Sequence, residues 1–540
     1  MTLPNSLITT LVPLPVLVPL LAAAVTLVLA RRPRTQRVVT VGALCVVVAV
    51  AVLLLYLTDR DGTTALQVGG WNAPIGITLV ADRLAALMLV VSSTVLLAVM
   101  VFAVGQGVRD GTEDQPVSIF LPTYLVLTAG VCNAFLAGDL FNLYVGFEVL
   151  LAASFVLLTL GASQDRVRAG VGYVMVSMVS SLIFLCGIAF AYAATGTLNM
   201  AQMALRMDAV PEGIRTAIFA VLLVAFGIKA AVFPLSNWLP DSYPTAPAPV
   251  TAVFAGLLTK VGIYAIIRAH TLLFPGGDLD NVLMVAGLLT MIVGILGAIA
   301  QNDIKRLLSF TLVSHIGYMV FGIALSTTAG LAGAVYYVAH HIIVQTALFL
   351  VVGLIERQAG SSSLRRLGGL AASPVLALLF LIPALNLGGI PPFSGFIGKL
   401  ALLEAGTQQA SVLAWVLVAG GTVTSLLTLY AIARVWTKAF WRPRGDAPEG
   451  ELADSAPSAL IDESFDIDFA KRADVGRMPV FMLIPTGALI AVGLALMVFA
   501  GPIIGYSDRT AVDLEDRSIY IDAVLGPGYT EQVDAVGGEP

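Results

Sequence analysis

Charge is what this sequence has least of. Across 540 residues only 12% are Asp, Glu, Lys or Arg, against 58% hydrophobic, and the mean hydropathy is +0.93. A soluble domain carries about 25% charged residues, so this composition excludes one and indicates an all-α polytopic membrane protein. Cysteine is scarce too. Cys45, Cys132 and Cys186 lie in separate apolar segments with no Cys-x-x-Cys spacing, which excludes a disulfide framework and reads as small lipid- or core-facing hydrophobes. Motifs for nucleotide, haem or iron–sulfur binding are missing, so no cofactor, no metal and no nucleic-acid partner is expected. The net charge of -5 says little about partners, because the charges gather in a few loops. The first apolar stretch is too long, and too unlike a cleavage site, to read as a removed signal peptide.

What is there is a series of apolar runs. They fall near 9–30, 37–57, 82–104, 117–136, 140–160, 171–194 and 215–233 in the first part of the chain. The second part has runs near 248–271, 281–301, 307–324, 328–356, 372–390, 393–440 and 478–502. The start of 393–440 belongs with 372–390 as one broken span, which leaves about fourteen. Arg31, Arg32, Arg34, Arg37, Arg166, Arg168, Lys305, Arg306, Arg357, Arg365 and Arg366 fall in alternate loops, as do the basic residues around Lys438 and Lys471. Those loops are expected in the cytoplasm, which puts both termini outside a cell membrane.

Between the spans, 59–81 reads as a hairpin on the outer face, and 195–214 as an amphipathic surface helix. Residues 441–477 read as a polar cytoplasmic loop whose acidic stretch, 462–468, is solvated or partner-facing, and 503–540 as an acidic external tail. Two segments break the helical pattern, one around Pro234 and Pro240, the other around Gly388, Gly389, Pro391 and Pro392. Proline removes a ladder donor and clashes with the preceding turn, so both helices are expected to be interrupted at membrane depth. Paired interruptions point to a transporter built of inverted repeats.

Inside this apolar background stand a few ionisable groups. Glu148 sits in a greasy helix with no charged neighbour within a turn, and such a charge costs about 2.5–3.5 kcal/mol on insertion scales. It either snorkels to the headgroups or finds a cationic partner. Lys229, Lys260, Lys399, His340 and His341 supply candidates, with snorkelling as the alternative for each lysine. Burial lowers a lysine's proton affinity and a carboxylate raises it again, so a Glu148–Lys229 pair would switch between holding and releasing a proton. Lys and His groups along the midplane, bridged by water, could pass that proton sideways. His315 is either a relay member or a packing residue, His270 reads as interfacial, Lys305 and Arg306 as topology signals, and Asp139 as an N-cap that could also line an access route.

The runs Asn142-Leu-Tyr-Val-Gly-Phe-Glu148, Lys229 to Pro234, the segment around Lys260, Gln301-Asn-Asp-Ile-Lys-Arg-Leu-Leu-Ser and Ser314-His-Ile-Gly resemble one superfamily. It comprises the antiporter-like proton-translocating subunits of respiratory complex I and of the multisubunit Mrp (Mnh) cation/proton antiporters, and the similarity runs from about 80 to 430. The resemblance implies fourteen transmembrane helices with two inverted five-helix repeats, each holding one broken helix. It also implies that Glu148 and Lys229 form an ion pair, Lys260 is the central relay lysine and Lys399 ends the relay. Lys399, where the complex I subunit of the most similar type usually carries Glu, and the ending around 520–526 look like the D-type Mrp subunits. One departure stands out: Gln345 occupies the position where the family often has a lysine, four residues after His341.

The implied organisation is 1–116 for three N-terminal helices, 117–271 and 281–440 for the repeats, and 478–502 for the last span. The implied function is a proton-translocating subunit that works with other membrane subunits and exchanges Na+, Li+ or K+ for protons, a transporter and not an enzyme. The alternative is a proton-pumping subunit of a quinone-linked oxidoreductase. A structural subunit that conducts nothing is the third reading, against which the intact Glu148, Lys229, Lys260 and Lys399 argue.

Overall fold

The computed structural model describes residues 5–107, 119–160, 164–448 and 478–526. The acidic stretch at 462–468 and the end of the tail lie outside the described residues.

Helices follow from the near-absence of charge within the spans, where backbone groups must be satisfied internally. In chain order they are α1 (Ile8–Val28), α2 (Pro33–Asp61), α3 (Arg83–Gln106), α4 (Phe120–Leu136), α5 (Leu140–Thr159) and α6 (Arg166–Thr195). A short surface helix α7 (Met200–Met207) precedes α8 (Glu212–Ala230) and α9 (Ala248–Leu273). Then come α10 (Asp280–Ala300), α11 (Ile304–Ala324), α12 (Thr328–Ala359), α13 (Pro374–Gly388), α14 (Ser394–Gln408), α15 (Val412–Trp441) and α16 (Val480–Val498). Twelve of these are long and apolar enough to cross a membrane, and α4 and α13 are shorter apolar helices, so the chain is an all-helical polytopic membrane protein with 12–14 candidate spans.

Side-chain caps start many of the helices. Asp82, Asp139, Asp303, Thr327 and Ser411 each accept backbone N–H groups at the head of α3, α5, α11, α12 and α15, a role for which short polar side chains are favoured. At Asp139 burial lifts the carboxyl above its usual range, and the N–H groups of Asn142 and Phe141 partly offset this.

Two helices end early. Helix α8 stops where Ala231 turns left-handed (φ 59°), and the chain runs through Pro234 and a short helix, Trp238–Ser242, before α9 begins. Helix α13 stops at Gly389 (φ 79°), a conformation glycine adopts freely, and α14 resumes at Ser394. Pro234 follows the first stop by three residues, and Pro391 and Pro392 lie between α13 and α14.

Burial is graded by helix. The most apolar window of α9 and of α12 is 100% buried, and that of α11 94%, whereas α15 is 28% buried. The three central helices are therefore wrapped in protein, and the others are less covered. Helix α12, with 32 residues, is about 48 Å long at 1.5 Å per residue, longer than a hydrocarbon core of about 30 Å.

One face of the bundle carries a small antiparallel hairpin, β1 (Thr64–Gln67) with β2 (Thr78–Ala81). Helix α7 buries Met200, Met203 and Met207 on one side. The segment after α16, read from its charge as an acidic external tail, is helical where described: α17 (Ala500–Glu515) and α18 (Arg517–Leu525). Tyr506, Ala511, Leu514, Tyr520, Ile521 and Val524 are buried, so apolar spacing within the acidic run folds it onto the hairpin face. Gln67 Nε2 donates to the Val524 carbonyl at 3.2 Å. The opposite face carries the arginine-rich loops between α1 and α2 and around Arg442.

Basic residues on the hairpin face are matched by acids. Arg83 meets Asp59 at 2.9 Å and Asp513 at 2.5 Å, Arg215 meets Asp278, Arg509 meets Asp59, and Arg517 meets Asp208. Burial raises the Asp513 carboxyl, with Arg83 pulling it back down. Cys132 is buried, and Cys45 and Cys186 are exposed on outward helix faces.

Candidate functional site

Glu148 projects from α5 toward α6 and α8, where the structure gives it a partner that the sequence reading missed. Ser181 Oγ donates a short hydrogen bond to Glu148 Oε1, and Lys229 Nζ donates to Ser181 Oγ at 3.2 Å and to the Ser177 carbonyl at 3.3 Å. Among the described residues there is no direct Glu148–Lys229 ion pair; the α6 hydroxyl stands between the two. The signal was present as Ser177, Ser180 and Ser181, polar residues one turn apart in an otherwise apolar helix. A cavity of about 10 Å³ touches Lys229, Ser177, Tyr173, Trp238 and Tyr243, room for roughly one water. The Tyr243 hydroxyl beside it is buried with no protein partner.

Lys260 is fully buried in α9. Its Nζ donates to the Ala255 carbonyl at 2.7 Å, and Ala255 lies in a π-helical turn, Phe254–Leu258. Such a turn shifts the backbone pairing from i+4 to i+5 and is frequent at functional sites. The turn lies against α12, and a Cβ on Gly256 would collide with Thr346 Oγ1. On its other side α9 packs on α8, where a Cβ on Gly262 would come within 2.7 Å of the Ala230 nitrogen. Lys260 thus lies between the helix of Lys229 and that of the histidines.

His315, His340 and His341 are fully buried. The rings of His315 and His341 stand 5.1 Å apart, centroid to centroid. Tyr337 OH and His315 Nδ1 share a hydrogen bond of 2.7 Å, and His340 Nδ1 shares one of 3.0 Å with Ser394 Oγ at the head of α14. Asn386, in the last turn of α13, accepts from Ser394 Oγ at 3.2 Å and from the Gly395 N–H at 2.8 Å. His315 Nε2, His340 Nε2 and both ring nitrogens of His341 lack protein partners. Gln345 donates through Nε2 to the Leu308 carbonyl at 2.8 Å, while its Oε1 is likewise buried and unpartnered.

Lys399 closes the line at the second break. Its Nζ donates to the carbonyls of Leu387 at 3.0 Å and Gly388 at 3.2 Å, and to Ser425 Oγ at 3.1 Å. The break frees those carbonyls, so the interrupted helix is what makes the lysine's seat. Tyr318 joins this end to the histidines: its ring lies 5.4 Å from Lys399 Nζ and 5.8 Å from the His315 ring.

The other singled-out residues lie apart. His270 bonds Asp280 at 2.8 Å and Ser326 at 3.2 Å at a helix end. Lys305 is more than a loop charge: 3% exposed, it faces into the bundle and pairs with Glu356 at 2.7 Å. Arg306 pairs with Asp241 at the surface. No group of three or more His, Cys, Asp or Glu is gathered for a metal ion among the described residues. The assembled line of basic groups, hydroxyls and unpartnered ring nitrogens suits proton transfer better than ligation.

The family model described as "NADH:quinone oxidoreductase/Mrp antiporter, TM" matches residues 137–428, which contain every residue of this line. The D-type Na(+)/H(+) antiporter subunit of Alkalihalophilus pseudofirmus is 39% identical over 520 residues, 95% of this chain and 99% of that protein. Its namesake from Bacillus subtilis is 36% identical over 81% of this chain and 88% of its own. A chain in the solved Mrp complex of a Dietzia species superposes with a TM-score of 0.86 at 36% identity, covering 96% of this chain and 100% of that one. The chain therefore belongs to the NADH:quinone oxidoreductase/Mrp antiporter family, on the branch of the D-type Mrp Na+/H+ antiporter subunits.

Proposed function

We propose that this chain is the proton-translocating subunit of a multisubunit antiporter, exchanging cytoplasmic Na+, Li+ or K+ for external protons in a cell membrane. The observation that carries the reading is the line from half-buried Glu148 through Ser181 to the buried Lys229, Lys260, histidines and Lys399. A lysine inside the hydrocarbon region is costly unless it loses its proton or gains a counter-charge. When the Ser181 bridge holds Glu148 near Lys229, the lysine keeps its proton; when the bridge opens, the proton is released toward Lys260. The nitrogens of His341 and His315 and the Gln345 oxygen that lack protein partners are where water would complete hydrogen bonds along the route. At Gln345 the amide can orient such a water but carries no charge, so transfer past it relies on His341. Dehydrated Na+ prefers several oxygen ligands together, and this line offers a single carboxylate, Glu148, so the cation crosses in partner subunits.

The hairpin face is the outside in this reading, since the arginine-rich loops lie on the opposite face. Two inverted repeats, 117–271 and 281–440, fit the element order. The fourth membrane unit of each is interrupted: α8 after α4, α5 and α6, and α13–α14 after α10, α11 and α12. The similarity to antiporter subunits along nearly the whole chain supports the antiporter reading over a respiratory pump.

The test is Na+-driven proton movement in inverted vesicles holding the complete complex with Lys260→Ala. The expected result is loss of at least roughly tenfold in rate with assembly intact; a normal rate would contradict the role.

A further inference from the structure

The relay leaves unused a buried charge pair on the same helix. Lys260, Tyr264 and Arg268 stand at i, i+4 and i+8 on one face of α9, leading from the centre toward the hairpin face. Arg268 Nη2 donates to Asp82 Oδ2 at 2.6 Å and to Tyr264 OH at 3.3 Å. Tyr264 OH in turn donates to the Phe135 carbonyl at 2.7 Å. The ring of Tyr520, from α18, covers the guanidinium at 4.9 Å. Arg268, Asp82 and Tyr520 are 3%, 6% and 5% exposed. Beside them is a cavity of about 10 Å³ whose walls include Thr63, Asp82, Arg268, Thr271, Asp513 and Tyr520. Two of the groups lining it, Arg268 Nε and Tyr520 OH, are buried without a protein partner. The space suits a single water with polar neighbours. Above it α17 is held by Arg83 to Asp513 and by Arg509 to Asp59.

We infer that the Arg268–Asp82 pair, roofed by Tyr520, is the closed gate of a proton route joining Lys260 to the hairpin face; the inference rests on the relay reading of Lys260. A guanidinium keeps its charge at any accessible pH, and a fixed positive charge in a narrow polar passage bars protons. Asp82 neutralises the guanidinium well enough for it to stay buried. Lys260 is turned the other way, onto the Ala255 carbonyl, so its proton is withheld from this side while the gate is shut. Opening requires the pair to part and Tyr520 to lift, which couples the gate to α17 and α18. When it is open the guanidinium has swung out of the passage, and water from the hairpin face reaches along α9 past Tyr264 to Lys260.

The two charges then have opposite effects when removed singly. With the complete complex in proteoliposomes and no Na+, Arg268→Gln raises the decay of an imposed pH gradient at least fivefold over the parent. Adding Lys260→Ala returns that leak to the parent level. Asp82→Asn, which leaves the guanidinium in place, gives no leak and slows exchange severalfold. Asp513→Asn, which loosens the strap without touching either member of the buried pair, gives a smaller leak that Lys260→Ala also removes. An assembled Arg268→Gln complex as tight as the parent, or a leak that survives Lys260→Ala, overturns the gate. Where Arg268→Gln fails to assemble, a tight Asp513→Asn complex overturns it. Normal exchange by Lys260→Ala alone removes the relay reading itself, whereas a tight Arg268→Gln beside an inactive Lys260→Ala removes only the gate.

Discussion

A hydroxyl that donates to a carboxylate and accepts from an ammonium makes each charge sensitive to the other without direct contact. Ser181 holds this position between Glu148 and Lys229. A hydrogen bond to a charged group contributes about 1.5–3 kcal/mol, so Ser181→Ala is expected to slow Na+-dependent proton exchange on the order of tenfold without changing subunit yield. Ser181→Thr should restore most of the rate, and an unaffected Ser181→Ala would leave the bridge without a role. Gln345→Leu removes an amide whose donor reaches only the Leu308 carbonyl. Its expected effect is a severalfold lower rate with thermal stability changed by less than about 1 kcal/mol, read by vesicle assay and by melting of the purified complex. The ionisable residues themselves were legible in the sequence because each is conspicuous against an apolar run. Ser181, Ser394, Asn386 and Ser425 were not, because a hydroxyl or amide in a membrane helix so often bonds its own backbone, as Thr346 does with Ile342.

At the scale of elements, the two broken helices do different things with the same interruption. The first stops just beyond Lys229; the second supplies two free carbonyls to Lys399. Both breaks could be placed from proline and glycine alone, since those residues act through local backbone geometry. The π turn before Lys260 could not, for Phe254–Leu258 holds no residue that forbids an α-helix. Its cause is tertiary: the close approach of Gly256 to Thr346 on α12. Gly256→Leu is therefore expected to separate α9 from α12 and lower the stability of the purified complex by about 1–3 kcal/mol, seen as an earlier loss of the intact complex on heating. An unchanged melting profile would mean that this contact does not hold the turn. The helices α17 and α18 were hidden for another reason: their acidic residues dominated the reading, while Tyr506, Leu514 and Tyr520 at helical spacing carried the packing.

Across the whole molecule, charge is arranged in two ways. On one face arginines crowd the loops between helices; on the other several are paired with acids, and those pairs hold the C-terminal helices down. An exposed pair such as Arg517–Asp208 is worth about 0.2–1 kcal/mol, so Arg517→Ala should leave assembly unchanged. A chain ending at Phe499 loses the buried contacts of α17 and α18 together, and is expected to give a much reduced yield of complete complex by size-exclusion chromatography. Equal yields from the two would show that the strap is dispensable. The element order follows from hydropathy, but the burial of α9, α11 and α12, which are less apolar than several more exposed helices, and their convergence on one polar line depend on packing between distant segments. That line is the central claim, and its first member tests it most directly. In inverted vesicles carrying the complete complex, Glu148→Ala should abolish Na+- and Li+-dependent proton exchange while every subunit remains present. Exchange at the parental rate would contradict the account.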